Sequence, residues 1–200
     1  MKPLFISAFI ICSCLILIHP QSILASFQAG ESAYLNNDYQ TAFQEWEPLA
    51  VQGNDDAQNM LGYMYRYGQG LPQNFEKARY WYRQAADQGH DRAQNNLGVM
   101  HRLGLGGSQD YHKAFQWFHR AAEQGNGGGQ SHLGLMYYKG EGVPKNLVQA
   151  YKWASLAASQ DLDQAIQALA MLERELTPTQ IEEGRHLAEA WKPKGKESVL

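Results

Sequence analysis

Apolar positions in this chain fall into two short helical patterns that alternate. In the first, Ala57, Leu61, Met64 and Tyr65 stand at i, i+4, i+7 and i+8, a single stripe on a 3.6-residue period. In the second, Ala78, Trp81 and Ala85 stand at i, i+3 and i+7. Between them, Gly68 supplies a left-handed helix end, Gly70-Leu71-Pro72-Gln73 makes the turn, and Asn74 can accept a free amide at the next helix start. The unit is therefore a helix–turn–helix. Gly62 sits inside the first helix, where it removes a side chain and lets a neighbouring helix approach.

The same unit returns every 36 residues. Ala57-Gln58, Leu61-Gly62, Gly68 and Gly70 recur as Ala93-Gln94, Leu97-Gly98, Gly104 and Gly106, and then as Gly129-Gln130, Leu133-Gly134, Gly140 and Gly142. Ala78, Trp81 and Ala85-Ala86 recur as Ala114, Trp117 and Ala121-Ala122, and as Ala150, Trp153 and Ala157-Ala158; the cap residue recurs as Asp110 and Asn146. A fixed period of this length means a stacked array, because one unit cannot bury its own apolar face and its neighbours must supply the rest of the core. Two departures carry expectations. The middle copy has His101 in place of Tyr65 and Tyr137, and Gly107-Ser108 in place of Leu71-Pro72, so its loop is expected to be less well anchored. The third copy ends in Ser159-Gln160-Asp161 without the closing glycine, so its second helix is expected to run on.

The pattern Ala-Gln-x-x-Leu-Gly-x-x-Tyr-x-x-Gly-x-Gly followed by Pro-x-Asn-x-x-x-Ala-x-x-Trp-x-x-x-Ala-Ala-x-x-Gly resembles the Sel-one-like repeat, a longer relative of the tetratricopeptide repeat. The resemblance implies an all-α solenoid, a right-handed superhelix of antiparallel helix pairs whose first helices line a concave surface that binds proteins. Upstream, Asp38-Tyr39, Ala42, Trp46 and Leu49-Ala50 keep the second-helix pattern of a degenerate first unit, with Trp46 one position later than the strict period requires. Downstream, Asp163–Glu175 and Thr179–Trp191 read as capping helices, the first with Ala165, Ala168, Leu169 and Leu172 on one side. The boundaries that follow are a signal segment 1–25 and a repeat domain 26–191. Within that domain lie a first unit 27–55, repeats 56–91, 92–127 and 128–161, and caps 162–191; a mobile tail, 192–200, closes the chain.

The N-terminus adds a location. Lys2 precedes an apolar run from Leu4 to Ile18, about fifteen residues where a membrane span needs roughly 20. Pro20 breaks the segment ahead of Ala25, so cleavage is expected before Ser26, giving an exported, periplasmic or secreted protein with no lasting membrane insertion. An uncleaved anchor is the alternative. Both cysteines, Cys12 and Cys14, lie in the removed part, which leaves the mature chain without disulfide, thiol nucleophile or cysteine metal site. The formal charge of -3 becomes -4 without Lys2, and the cluster of Lys192, Lys194 and Lys196 sits beside Glu197 in the tail. General nucleic-acid binding is not indicated.

Catalytic patterns are missing. There is no His-Glu-x-x-His, no Gly-x-Ser-x-Gly and no phosphate loop, and Gly68-Gln69-Gly70 joins two helices without a preceding strand. His112 and His119 share a helix, and His101 and His132 stand on adjacent first helices, but their counterparts Glu76, Arg83, Tyr65 and Met60 have no common ligand character, and ordinary packing or surface roles are expected. No cofactor or metal is called for, and a non-enzymatic interaction scaffold is the reading. The family's presence near peptidoglycan machinery leaves open a cell-wall hydrolase or regulator, and a secreted host-interaction factor would share the scaffold's mechanism. The first-helix positions that vary between copies are the candidate protein-binding residues: Met60, Tyr63, Arg66 and Tyr67; Asn96, Val99, Arg102 and Leu103; His132, Leu135, Tyr138 and Lys139. Aromatic side chains there offer rigid contact area and the arginines can pair with carboxylates of a peptide.

Gly127-Gly128-Gly129 reads as the softest junction, since ordering three glycines costs the most backbone entropy. If that site is helical, Gly129→Ala is expected to stabilise by about 0.5 to 1 kcal/mol.

Overall fold

The computed structural model describes residues 20–195, with side chains from Leu24 onward; most of the segment read as an export signal lies outside the described residues. Ten α-helices and no strand occur among them. They are α1 Pro20–Leu35, α2 Tyr39–Val51, α3 Asp55–Tyr67, α4 Phe75–Asp87, α5 Asp91–Leu103, α6 Tyr111–Glu123, α7 Gly127–Lys139, α8 Leu147–Ala158, α9 Asp163–Glu175 and α10 Pro178–Glu189. Successive helices pack as hairpins from α1 to α8, with each pair stacked on the next. α1 runs without a break through the expected cleavage point between Ala25 and Ser26, and Pro20 is its first residue.

Local chemistry sets these boundaries. The second helices open on Asn74, Asp110 and Asn146, whose side-chain oxygens accept the amides of Lys77, Lys113 and Gln149 at 2.9, 2.9 and 3.0 Å. The first helices have caps of their own. Asn54 and Asn126 accept from Ala57 and Gly129, and His90 does the same through Nδ1 to Ala93 N at 3.1 Å. With Nδ1 accepting, Nε2 carries the proton and donates to Asp56 Oδ1 at 3.0 Å. Gly68, Gly104 and Gly140 end the first helices in the left-handed conformation.

The repeated glutamine holds the units together. Gln58, Gln94 and Gln130 are buried, and their amides donate to the carbonyls of Ala50, Ala86 and Ala122 in the preceding helix. Their oxygens accept from Gln88, Gln124 and Gln160 at 2.8, 2.8 and 2.9 Å. A buried amide left without such partners would cost about 1 to 3 kcal/mol, so the bonds fix the register of one unit on the next.

Several sequence expectations change. The middle loop closes as its neighbours do, with Asp110 N donating to His101 O at 2.9 Å as Asn74 N does to Tyr65 O at 2.8 Å. Arg79 adds a bond to Gly106 O at 3.2 Å, so this loop is as well held as the others. α8 does not run on: it ends at Ala158, and Asp161 takes φ 59° where Gly89 and Gly125 take 87° and 94°. Aspartate tolerates the left-handed region better than most side chains, which replaces the missing glycine. Trp46 is not a displaced repeat tryptophan. It is in register with Tyr82 and Phe118, all three fully buried, and its ring covers Gly30 as theirs cover Gly62 and Gly98.

The tryptophan series itself is uneven. Trp153 and Trp117 are 2% and 6% exposed, but Trp81, expected in the core, is only half-buried. α7 begins at Gly127, so residue 129 is helical, yet a Cβ on Gly129 would stand 2.7 Å from Ala121 Cβ and 3.0 Å from Ala122 N. The space that Ala57 and Ala93 occupy in their units is closed here, and the expected gain from alanine is withdrawn.

At the C-terminal end the 36-residue spacing still holds through α9: Ala168, Met171 and Leu172 stand 36 after His132, Leu135 and Met136. α9 packs on α8 as the next first helix would, but the two residues that separate it from α10, Leu176 and Thr177, are both extended, with ψ 147° and 156°, and lead α10 away from it. α10 instead lies on α8, with Gly184 against the Tyr151 ring. Its start is fixed by a capping box between Thr177 and Gln180, with Pro178 in the first turn. Of the segment read as a mobile tail, Lys194 is bound to Glu123 through both its amide, 2.7 Å from the carbonyl, and its Nζ, 2.5 Å from the carboxylate. Residues 196–200 lie outside the described residues.

Candidate binding face

The variable first-helix positions lie on one side of α3, α5 and α7, and the fold joins them into three connected groups. At the N-terminal end, Tyr63 and Tyr67 pack as a tilted pair with centroids 4.4 Å apart, Tyr34 of α1 meets Tyr63 edge-on at 6.4 Å, and the Arg66 guanidinium lies 5.0 Å over Tyr67. Tyr67 is exposed, while Met60, Tyr63 and Arg66 are half-buried. Beneath them the buried Tyr82 hydroxyl has no hydrogen-bond partner within 3.5 Å among the described residues. Burial pushes its pKa up, against the lowering effect of the nearby Arg66.

Across the middle, Asn96 Nδ2 donates to Asn59 Oδ1 at 3.2 Å, Val99 packs on the cluster around Phe118 and Leu133, and Leu103 is exposed. Arg102 is already paired: its Nε is 2.9 Å from Glu141 Oε2, with both side chains about one-fifth exposed. Lys139 shares the same carboxylate at 3.8 Å. Glu141 thus neutralises two of the cations that sequence reading offered to a partner. Arg66 makes no ion pair among the described residues.

At the C-terminal end the face becomes concave. A cavity of about 380 Å³ opens between α7 and α9, floored by Ala154, Ala165, Ala168 and Leu172 and walled by Leu135 and Met171. Its rim carries Arg102, Ser131, His132, Tyr138 and Gln164. His132 stacks on Phe118 at 4.6 Å, and burial, with Arg102 and Arg66 adding to it, holds its pKa down to about 4, so it is a neutral donor–acceptor. The Tyr138 hydroxyl donates to Glu175 Oε1 at 2.7 Å, which raises its pKa. The α9 contribution was missed in the sequence because that helix reads as a cap; the signal was there in the period, which places Ala168 and Met171 on the same face as His132 and Leu135.

No part of this face assembles a nucleophile with a base. His101 and His119 lie elsewhere, the first buried against Arg79 at 3.0 Å and the second beside Trp153. No group of three or more His, Cys, Asp or Glu side chains converges among the described residues. No helix among them is long and apolar enough to cross a membrane.

The family model of the Sel1 repeat matches residues 55–90, 91–126 and 128–162, more than half the chain and the same three units that the geometry separates. The chain belongs to the Sel1 repeat family. Proteins built of Sel1 repeats are generally protein-interaction scaffolds and typically non-catalytic. Among solved structures, a Sel1 repeat protein from Oxalobacter formigenes is similar over 86% of this chain and 71% of its own, at 28% identity and a TM-score of 0.71. A protective antigen present in uropathogenic Escherichia coli strains, with the same repeat fold, is similar over 88% of this chain at 26% identity and a TM-score of 0.61; this chain spans 47% of that antigen's length. No curated protein matches the chain. This Sel1-repeat protein differs from a regular array in its last pair, where α10 leaves α9 unpaired on one side and the cavity open.

Proposed function

We propose that the protein is an exported, non-enzymatic scaffold that binds an extended peptide segment along the face of α3, α5, α7 and α9, with an apolar side chain of the partner seated between α7 and α9. The cavity carries this reading: about 380 Å³ of mostly apolar space, rimmed by hydrogen-bonding groups and the already paired Arg102, on the face where the repeats vary most. Arg66 is the cation left to meet a carboxylate of the partner, and Tyr63 and Tyr67 offer rigid aromatic area beside it. Arg102 serves instead to orient Glu141 and close the rim. Export is supported by the N-terminal apolar run and by the likeness to a protective antigen.

Capture from an envelope extract, compared across variants, tests the assignment. Met171→Glu puts a charge at the cavity wall on a residue 55% exposed, and Tyr67→Ala removes an exposed ring; each should lose the captured partner by tenfold or more with the melting temperature unchanged. A partner retained by both variants would remove the binding role from this face.

A further inference from the structure

The second helices carry the same tryptophan at three successive junctions, and the three are covered in different ways. Trp153 on α8 lies under Trp191, with ring centroids 6.1 Å apart. The chain then continues across the end of α6, where Lys194 holds Glu123, and Pro193 and Trp191 stand 3.6 and 3.9 Å from where a Cβ on Gly125 would be. One unit earlier, Trp117 is covered by Arg83 and Arg120, whose guanidinium carbons are 5.3 and 4.7 Å from the ring centroid.

One unit earlier again no cation covers the ring, and Tyr80 meets Trp81 edge-on with centroids 5.0 Å apart. Glu47 stands 36 residues before Arg83 and Gln84 stands 36 before Arg120, so no arginine reaches the ring, and Trp81 is left half-buried. α2 ends in Val51, 72% exposed, where α6 ends in Glu123, and Tyr80 beside it is 55% exposed. A Cβ on Gly53, the counterpart of Gly125, would meet nothing within 4 Å. Trp81, Tyr80, Val51, Gly53 and Asp87 border a groove of about 440 Å³.

We propose that this α2–α4 groove is a second docking site, which takes an extended basic segment of a partner polypeptide in the way that the α6–α8 junction takes residues 191–195 of the chain itself. Three features fix the chemistry. A cation lies over each of the other two tryptophans, including Lys152 Nζ at 4.2 Å over Trp153, and an exposed indole face is a favourable site for one. The position of Arg83 is taken here by Glu47, an exposed carboxylate without an ion pair among the described residues, while Asp87 on the groove border is already paired with Arg83 at 2.6 Å; the free charge at this end of the groove is therefore that of Glu47, which suits lysine or arginine. Val51 closes α2 with a carbonyl that has no partner within its own helix, the position at which Glu123 O accepts the Lys194 amide. The occupant is therefore bound through one backbone N–H, one stacked cation and an apolar contact with Val51.

The probe is a synthetic peptide of the chain's own strap, Ala-Trp-Lys-Pro-Lys-Gly, added to the isotopically labelled protein and followed by amide and indole chemical shifts. Saturable shifts at Val51, Gly53 and the Trp81 indole are expected, with a peptide carrying glutamate for both lysines at least tenfold weaker. Trp81→Ala should abolish the shifts. Because that variant also loses packing, Glu47→Lys is the second test: an exposed residue whose reversal should weaken binding tenfold or more at unchanged melting temperature. Shifts confined to Glu123 and Gly125, shifts on the α7–α9 cavity, or none at millimolar peptide would each overturn the proposal. Binding that survives Met171→Glu keeps this site distinct from the first-helix face.

Discussion

The ring of Tyr82 lies directly against Gly62: a Cβ built on the glycine would be 2.6 Å from Cδ1 and 2.8 Å from Cε1. Phe118 stands in the same way against Gly98, at 2.7 Å, and Trp46 against Gly30. The repeated glycine is thus a socket for an aromatic ring of the partner helix in its own unit. Only in the third unit, where Ala154 replaces the ring, do backbone atoms of α8 come to 3.3 Å of the Cβ position on Gly134. Gly62→Ala should destabilise the protein by about 1 to 3 kcal/mol through overpacking, read as a lower urea midpoint with an unchanged slope. A loss below about 0.5 kcal/mol would mean that α3 and α4 separate freely, and the socket would not hold.

Two adjacent glycines at the start of α7 should respond with opposite signs. Gly128→Ala places a methyl 3.3 Å from the Asn95 side-chain end and from Oδ1 of the cap Asn126, contacts that need give by only a few tenths of an ångström with the cap bond kept, and should stabilise by up to about 0.5 to 1 kcal/mol by restricting the unfolded chain. Gly129→Ala drives the methyl into Ala121 Cβ and the Ala122 amide and should destabilise. Paired denaturation curves decide the point; a stabilised Gly129→Ala would show that α6 and α7 relax to the spacing of the other units.

Truncating the tryptophans should give a graded series. Trp117→Ala removes a side chain packed in the central core and flanked by two guanidinium groups, and should cost about 3 to 5 kcal/mol. Trp81→Ala, at a half-buried site with an open groove beside it, should cost less. Equal losses in chemical denaturation would contradict the difference in cover.

Acid should weaken the fold before its carboxylates titrate. Burial, reinforced by Arg79 at His101 and by Arg102 and Arg66 at His132, holds both imidazoles down to a pKa of about 4. Asp110 opposes the shift at His101, while Lys113 and Arg83 add to it. The unfolded groups take up protons near pH 6.5, about 1.4 kcal/mol per unit of difference for each. Above that pH both states are neutral and stability is full; as pH falls from about 6.5 toward 4 the unfolded chain binds more protons and stability declines. The double variant His101→Tyr, His132→Asn, which places at each site the residue of a sister repeat, should flatten urea midpoints between pH 6.5 and 5. An unchanged slope would assign the decline to other groups.

The period, the helix pair, the three second-helix caps and the left-handed glycines were determined by the sequence alone, because each rests on bonds within a few residues or on spacing that recurs. Family membership follows from the same recurrence. The twelve candidate positions were legible as a face for that reason too, since repetition separates constant packing residues from those that vary. What each of them does was decided between units. Arg102 meets Glu141 across 39 residues and Tyr138 meets Glu175 across 37, and no periodicity says whether a cation is free or already paired. The cavity needed α9 to stack as a further first helix while α10 turned away across the extended Leu176-Thr177 link. Gly129 shows the same limit: its helical backbone could be read from the pattern, but the distance to Ala121 is set by how closely two helices settle, and that is a property of the packed array alone.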